Sequence, residues 1–287
     1  MVTQIRPKVE ANIRGFGKVL YVGAPFDESQ ESLKSSGASI ISLRDLAYTK
    51  MQREADSSLN TNGSYVMQGS IYVPKSNEAI FVPTSPILSF AQKATEAHRN
   101  SREFYADQDE VIEAFEKAKA GSIKVPYGQE PILTTRFGEE ALTNWAFDDQ
   151  AKDYGLFLKE NGINEMPVWL VDKSYIDKQD KPFATQLWLR RLGSSLGSGL
   201  DGDWSCGSWS LAGDSAVRGV SRSVVSAEGA KPTGEAGRTQ KQASVKMPYT
   251  SRQVDSALKR VTGVKEGKLP ARSLDSVVDF LLRIRKR

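Results

Sequence analysis

One cysteine, Cys206, and one histidine, His98, in 287 residues remove several chemistries at once. No intramolecular disulfide can form. Zinc sites built from Cys and His, Cys–His dyads and Ser–His–Asp triads all lack their parts. Long apolar runs are missing too, none approaching the roughly 20 residues a helix needs to cross a bilayer. The opening M-V-T-Q-I-R-P-K-V-E has no apolar signal region, so a cytoplasmic or particle-associated protein is the default expectation. No G-x-x-x-x-G-K-[ST] phosphate loop occurs. Gly197-Ser-Gly-Leu-Asp-Gly202 matches G-x-G-x-x-G, but Asp203-Trp-Ser-Cys-Gly follows and cannot open the helix that a dinucleotide loop requires. Asp201, Asp203 and Asp214 lack the acidic density of a calcium loop. Cys206 has no partner thiol and reads as a small loop residue. Neither metal nor cofactor is expected.

What is present suffices for a substantial core. Hydrophobic residues make up 39% of the chain, with five Trp, nine Tyr and eleven Phe, which is not a disordered composition. The net charge of +4 is mildly basic and is weak support for a nucleic-acid partner. The basic ending R-I-R-K-R also complements the dipole of the helix it closes.

Along the chain, residues 1–17 read as a polar lead-in and Lys18-Val-Leu-Tyr-Val-Gly-Ala24 as a strand. Residues 26–37 read as a Ser-rich connection. Ser42 is a plausible N-cap for an amphipathic helix that ends near Glu54. Residues 56–63 have loop composition, and 70–73 and 79–82 form a hairpin pattern around P-K-S-N-E. Residues 88–105 carry a weaker helical pattern. Residues 107–120 predict a helix, acidic at its start and basic at its end, stopped by Gly121. Residues 122–126 suit a short edge strand, and 137–147 and 149–161 suit helices. Met166–Val171 has a buried-strand pattern, and Phe183–Leu189 predicts a further strand. Residues 228–245 read as linker or extended arm, 251–261 as helix, and 273–284 as an amphipathic helix.

The stretch from Leu187 to Val220 interleaves two kinds of residue. Trp188, Leu192, Leu196, Leu200, Trp204, Trp209, Leu211, Val217 and Val220 are large and apolar. Ser194, Ser195, Gly197, Ser198, Gly199, Asp201, Asp203, Ser205, Cys206, Ser208, Ser210, Asp214 and Ser215 are small or polar. A solvated Gly/Ser linker has no use for Trp and Leu every few residues, since each stabilises by roughly 1.5–3 kcal/mol when removed from water. The apolar set is expected to peg an irregular segment onto the core, leaving the small set outside. From Leu192 to Ala227 there is, moreover, no Lys, Glu, Gln or Met.

W-L-R-R-L-G, then small residues alternating with Leu and Trp, then A-V-R-G-V, resembles the variable region of target proteins of diversity-generating retroelements. The resemblance implies a C-type lectin fold of the branch that includes formylglycine-generating enzymes. It also implies that miscopied adenines turn AAC-type codons into others that cannot encode Lys, Glu, Gln, Met or Trp, which accounts for the missing residues. On this reading the fold class is α+β, a C-type-lectin-like domain of mixed short strands and helices over about 18–225, with the variable region at about 187–220. A linker and C-terminal helical appendage occupy 226–287. The implied function is ligand binding rather than catalysis, in a virus, prophage, archaeal or bacterial setting. The surface would comprise Ser194, Ser195, Gly197, Ser198, Asp201, Asp203, Ser205, Cys206, Ser208, Ser210, Asp214 and Ser215. The expected partner is a macromolecule, a protein or cell-surface molecule before nucleic acid. Two alternatives are a nucleic-acid-binding or structural viral protein using its basic tail, and a formylglycine-generating-type enzyme. The enzyme reading is weakened because those enzymes use two cysteines.

Overall fold

The computed structural model describes residues 5–192, 199–202, 211–213 and 215–221. The elements in order are β1 (Lys8–Ile13), β2 (Gly17–Ala24), α1 (Phe26–Ser35), β3 (Ser39–Ile40), α2 (Leu43–Met51), α3 (Ser58–Thr61), β4 (Ser64–Tyr72), β5 (Glu78–Val82), α4 (Ala91–Arg99), β6 (Phe104–Tyr105) and α5 (Asp109–Ala118). There follow β7 (Ile123–Pro126), β8 (Ile132–Leu133), α6 (Ala141–Phe147), α7 (Ala151–Glu160), β9 (Glu165–Met166), β10 (Val168–Trp169), α8 (Lys173–Ile176), β11 (Phe183–Leu189), β12 (Leu200–Asp201) and β13 (Ser215–Ser221).

Among these residues the main sheet runs β1-β2-β13-β4-β11-β12-β10. Its seams are antiparallel except where β13 meets β4 and where β10 meets β12. The hairpin partner β5 pairs with β4 and passes the edge on to β7. Alternation along the strands feeds two cores, because successive side chains leave a strand on opposite faces. Leu20, Val22, Tyr65, Ile71, Ala184 and Val217 join one cluster with Phe26 and Leu33 of α1, Ala94 of α4 and Phe115 of α5. Val19, Val66, Tyr72, Leu187, Leu189 and Val220 join the other with Leu46 of α2, Phe147 of α6 and Tyr154 and Leu158 of α7. Both faces of the sheet are therefore covered, and β11, β12 and β13 carry described parts of the stretch of interest. No described helix is long and apolar enough to cross a membrane.

Ser42 caps α2 by accepting the Asp45 N–H at 3.1 Å. Gly121 and Gly162 follow α5 and α7 with φ of 74° and 80°, the left-handed conformation that glycine enters most cheaply. Three expectations are corrected. Residues 8–13 are no lead-in: they pair with β2 and bury Ala11 and Ile13. Residues 26–35 are helical, because Ser29 and Ser32 pack inward beside Phe26 and Leu33. Residues 166–171 are not one buried strand, since Pro167 separates β9 from β10 and Trp169 is exposed. The expected linker and helices of 226–287 lie outside the described residues.

Candidate functional site

The 187–220 stretch is fastened at four places, each largely through its own backbone. At the first, the Leu192 N–H donates to the Asn60 carbonyl at 2.7 Å. Asn60, buried on α3, is itself held by donating from Nδ2 to the Lys50, Arg53 and Glu54 carbonyls. At the second, β12 lies between β10 and β11. The Leu200 N–H donates to the Pro167 carbonyl at 3.0 Å and the Gly202 N–H to the Trp169 carbonyl at 2.9 Å. The Gly202 carbonyl accepts twice, from the Tyr72 hydroxyl at 2.8 Å and from Thr185 Oγ1 at 2.6 Å. At the third, the Leu211 N–H donates to His98 Nδ1 at 3.2 Å, and its carbonyl accepts the Phe26 N–H at 2.8 Å. The fourth is β13, paired to β2 along its whole length from Ser215 to Ser221.

Buried ionisable groups lie behind these fastenings. His98 is buried, and burial pushes its pKa down to about 4. It therefore stays neutral, with the proton assigned to Nε2 because Nδ1 accepts. Arg218 of β13 is fully buried; its guanidinium bonds both oxygens of Glu10 and the Gly63 carbonyl and lies over the Tyr21 ring. Burial pushes the Glu10 carboxyl up, but the Arg218 bond and charge, the Ser58 bond and the Lys50 charge outweigh it and hold the pKa below its ordinary value. Lys50 is also buried, its Nζ donating to the Arg190 carbonyl at 3.4 Å. Burial first and the Arg218 charge second push its pKa down to about 7, against the pull of Glu10.

Leu192, Leu200, Leu211, Val217 and Val220 are buried. Trp188 is half-buried, edge-on to Tyr65 at 5.0 Å between centroids. Its ring covers Gly63, where a Cβ would come within 2.2 Å of Nε1. Asp201, expected on the outer surface, is instead 3% exposed. It faces Arg190, which bonds Asp201 Oδ2 through Nε at 3.0 Å and through Nη2. A carboxylate in so short a strand, flanked by two sheet partners, is kept in by its cation. Ser215 opens β13 opposite Ala24. Ser194, Ser195, Gly197, Ser198, Asp203, Ser205, Cys206, Ser208, Ser210 and Asp214, with Leu196, Trp204 and Trp209, lie outside the described residues. They fall in the intervals 193–198 and 203–210 and at 214, between the fastenings.

Sequence reasoning missed Asn60, His98, Lys50, Arg190 and Trp169. The one local signal was Pro167, which cannot donate to a ladder and marks an interrupted strand. Among the described residues no three His, Cys, Asp or Glu side chains stand close enough to hold a metal ion.

No family model and no curated protein matches the sequence. A solved structure does match: a Nanoarchaeota protein whose C-type lectin fold accommodates massive sequence variation. The match has a TM-score of 0.50 and 17% identity, covering 72% of this chain and 98% of that one. At this level of identity the match shows the fold alone: this protein has a mixed α+β C-type lectin fold.

Proposed function

We propose that this protein binds macromolecular targets, proteins foremost, through exchangeable small side chains carried in the intervals 193–198 and 203–210 and at 214–215, and that a retroelement diversifies them. One observation carries the reading. The stretch is held by backbone hydrogen bonds to Asn60, Pro167, Trp169, Tyr72, Thr185, His98 and Phe26, all outside it. Bonds of that kind do not depend on which side chains lie between the fastenings. Buried Leu192, Leu200 and Leu211 supply the apolar part. Three supports add to this: the absence of Lys, Glu, Gln and Met from 192 to 227, the small residues in both intervals, and a solved counterpart that accommodates massive sequence variation on this fold. Asp201 is excluded from the surface because it is buried against Arg190.

The test is to sequence the encoding DNA from a population of the source. The expected result is a neighbouring reverse transcriptase gene and a near-copy of the segment, with codons varying in the two intervals and constant at Leu192, Leu200, Gly202 and Leu211. Codons 200 and 211 varying as freely as 194 and 208 would overturn the reading.

A further inference from the structure

Small side chains give a surface shape but little binding energy, and Ser and Gly are poor anchors. A large fixed side chain stands beside the second fastening, at Leu200–Gly202. Trp169 on β10 is 36% exposed. Its backbone is committed to the fold, pairing with Asp201 and accepting the Gly202 N–H. The Arg190 guanidinium lies over its ring at 5.1 Å, within cation–π range. Arg190 is itself tied to the buried Asp201 carboxylate. At the indole edge, a Cβ on Gly199 would stand 2.8 Å from the Pro167 carbonyl, a clash with backbone, and 3.1 Å from Trp169 Nε1, so glycine here lets β12 lie close against the ring. Gly199 follows the first interval, and Gly202, bonded to the Trp169 backbone, precedes the second.

We propose that Trp169, clamped by Arg190 and Asp201, is a fixed contact residue of the binding surface, on which an apolar side chain of a protein target stacks. This inference rests on the proposed function and adds a constant anchor to it. Trp and Arg are the side chains that dominate interface hot spots. A ring already clamped loses little rotamer freedom on binding. A protein is favoured over a sugar for a chemical reason. A sugar stacked on Trp also needs polar groups for its hydroxyls, and the carboxylate beside this ring is buried and occupied by Arg190. The exchangeable residues would then choose among targets, while Trp169 contributes to all of them.

The experiment uses the full chain, displayed with codons 194, 195, 198, 205, 206 and 208 randomised and selected on lysozyme as a defined protein probe. Several independent binders are then remade with Trp169→Ala, and their thermal midpoints are followed. Weakening of tenfold or more in most binders is expected. Hydroxyl-radical footprinting of the unsubstituted binders keeps the test sound should the variant unfold: lysozyme should protect Trp169 from oxidation. Binders indifferent to Trp169→Ala, or leaving Trp169 unprotected, overturn this inference alone. A library yielding no lysozyme binder overturns the proposed function and this inference with it. Methyl glycosides protecting Trp169 where lysozyme does not would overturn the choice of a protein.

Discussion

Two buried side chains set how stability follows pH. Lys50 has a pKa of about 7 in the fold and 10.5 when unfolded. Between those values the unfolded chain holds the proton and the folded chain does not, so stability rises with pH across that window. Below pH 7 the folded state carries the whole cost of a buried ammonium, on the order of 5 kcal/mol from the shift alone. Lys50→Met should therefore raise the urea midpoint at pH 6 and flatten its rise between pH 7 and 10, while leaving the Glu10–Arg218 pair in place. A lower midpoint at every pH would show that the ammonium is productively paired. His98 has the same sign at the acid end. Its pKa falls from 6.5 to about 4 on folding, so stability is lost as pH drops from 6.5 towards 4. The loss amounts to about 3 kcal/mol. Protonation would also take the acceptor from the Leu211 N–H. His98→Gln keeps an acceptor there and cannot titrate, so urea midpoints between pH 6.5 and 4 should become nearly flat in that variant.

Elements with a local signal were legible, and those that rely on distant partners were not. Ser42 before an amphipathic run announces α2, and the acidic start, basic end and Gly121 announce α5. β1 carries only polar residues with Val9, Ala11 and Ile13, and Val9 is 60% exposed. It exists because β2 offers a ladder and Arg218 takes Glu10. α1 hides its apolar face in serines that bond inward, Ser29 to the Ala24 carbonyl and Ser32 to the Ile5 carbonyl. At the site, the spacing of Trp and Leu pointed to the stretch itself. Its supports come from β10, α3 and α4, far away in the chain, and no local pattern reports them. Asp201 misled because a small polar residue among glycines looks exposed until its cation is found. The same contrast gives a prediction. Leu200→Ala should cost about 3 kcal/mol as a buried large-to-small change. Asp201→Ser should cost about 2 kcal/mol by leaving Arg190 without its carboxylate. Tyr or Arg placed at 194, 195, 205 or 208 should change stability by less than about 0.5 kcal/mol. Urea unfolding of the set checks all three. Equal costs across it would mean that the intervals are packed as tightly as the fastenings.

Across the whole molecule, charge divides with the chain. Residues 226–287 hold fourteen Lys and Arg against six Asp and Glu, so they carry +8 while residues 1–225 carry −4. The mild net charge of +4 thus conceals an acidic domain and a basic tail. Such asymmetry predicts that any polyanion binding belongs to the tail, because neutralising phosphates or sulfates takes many cations. Both cores and all four fastenings draw only on residues up to Ser221. A chain ending at Val225 should therefore keep its thermal midpoint within about 2 °C, since a loss of 1 kcal/mol in a domain of 150–250 residues moves it by only about 2–4 °C. The same chain should no longer be retained on heparin at neutral pH, whereas the full chain should be retained and should elute with salt. Retention by the short chain would place a polyanion site on the lectin-like domain itself. That result would move the nucleic-acid reading from the tail to the surface assigned here to proteins. An intact midpoint with retention lost would separate the two roles, leaving recognition to the pinned stretch and polyanion contact to the tail.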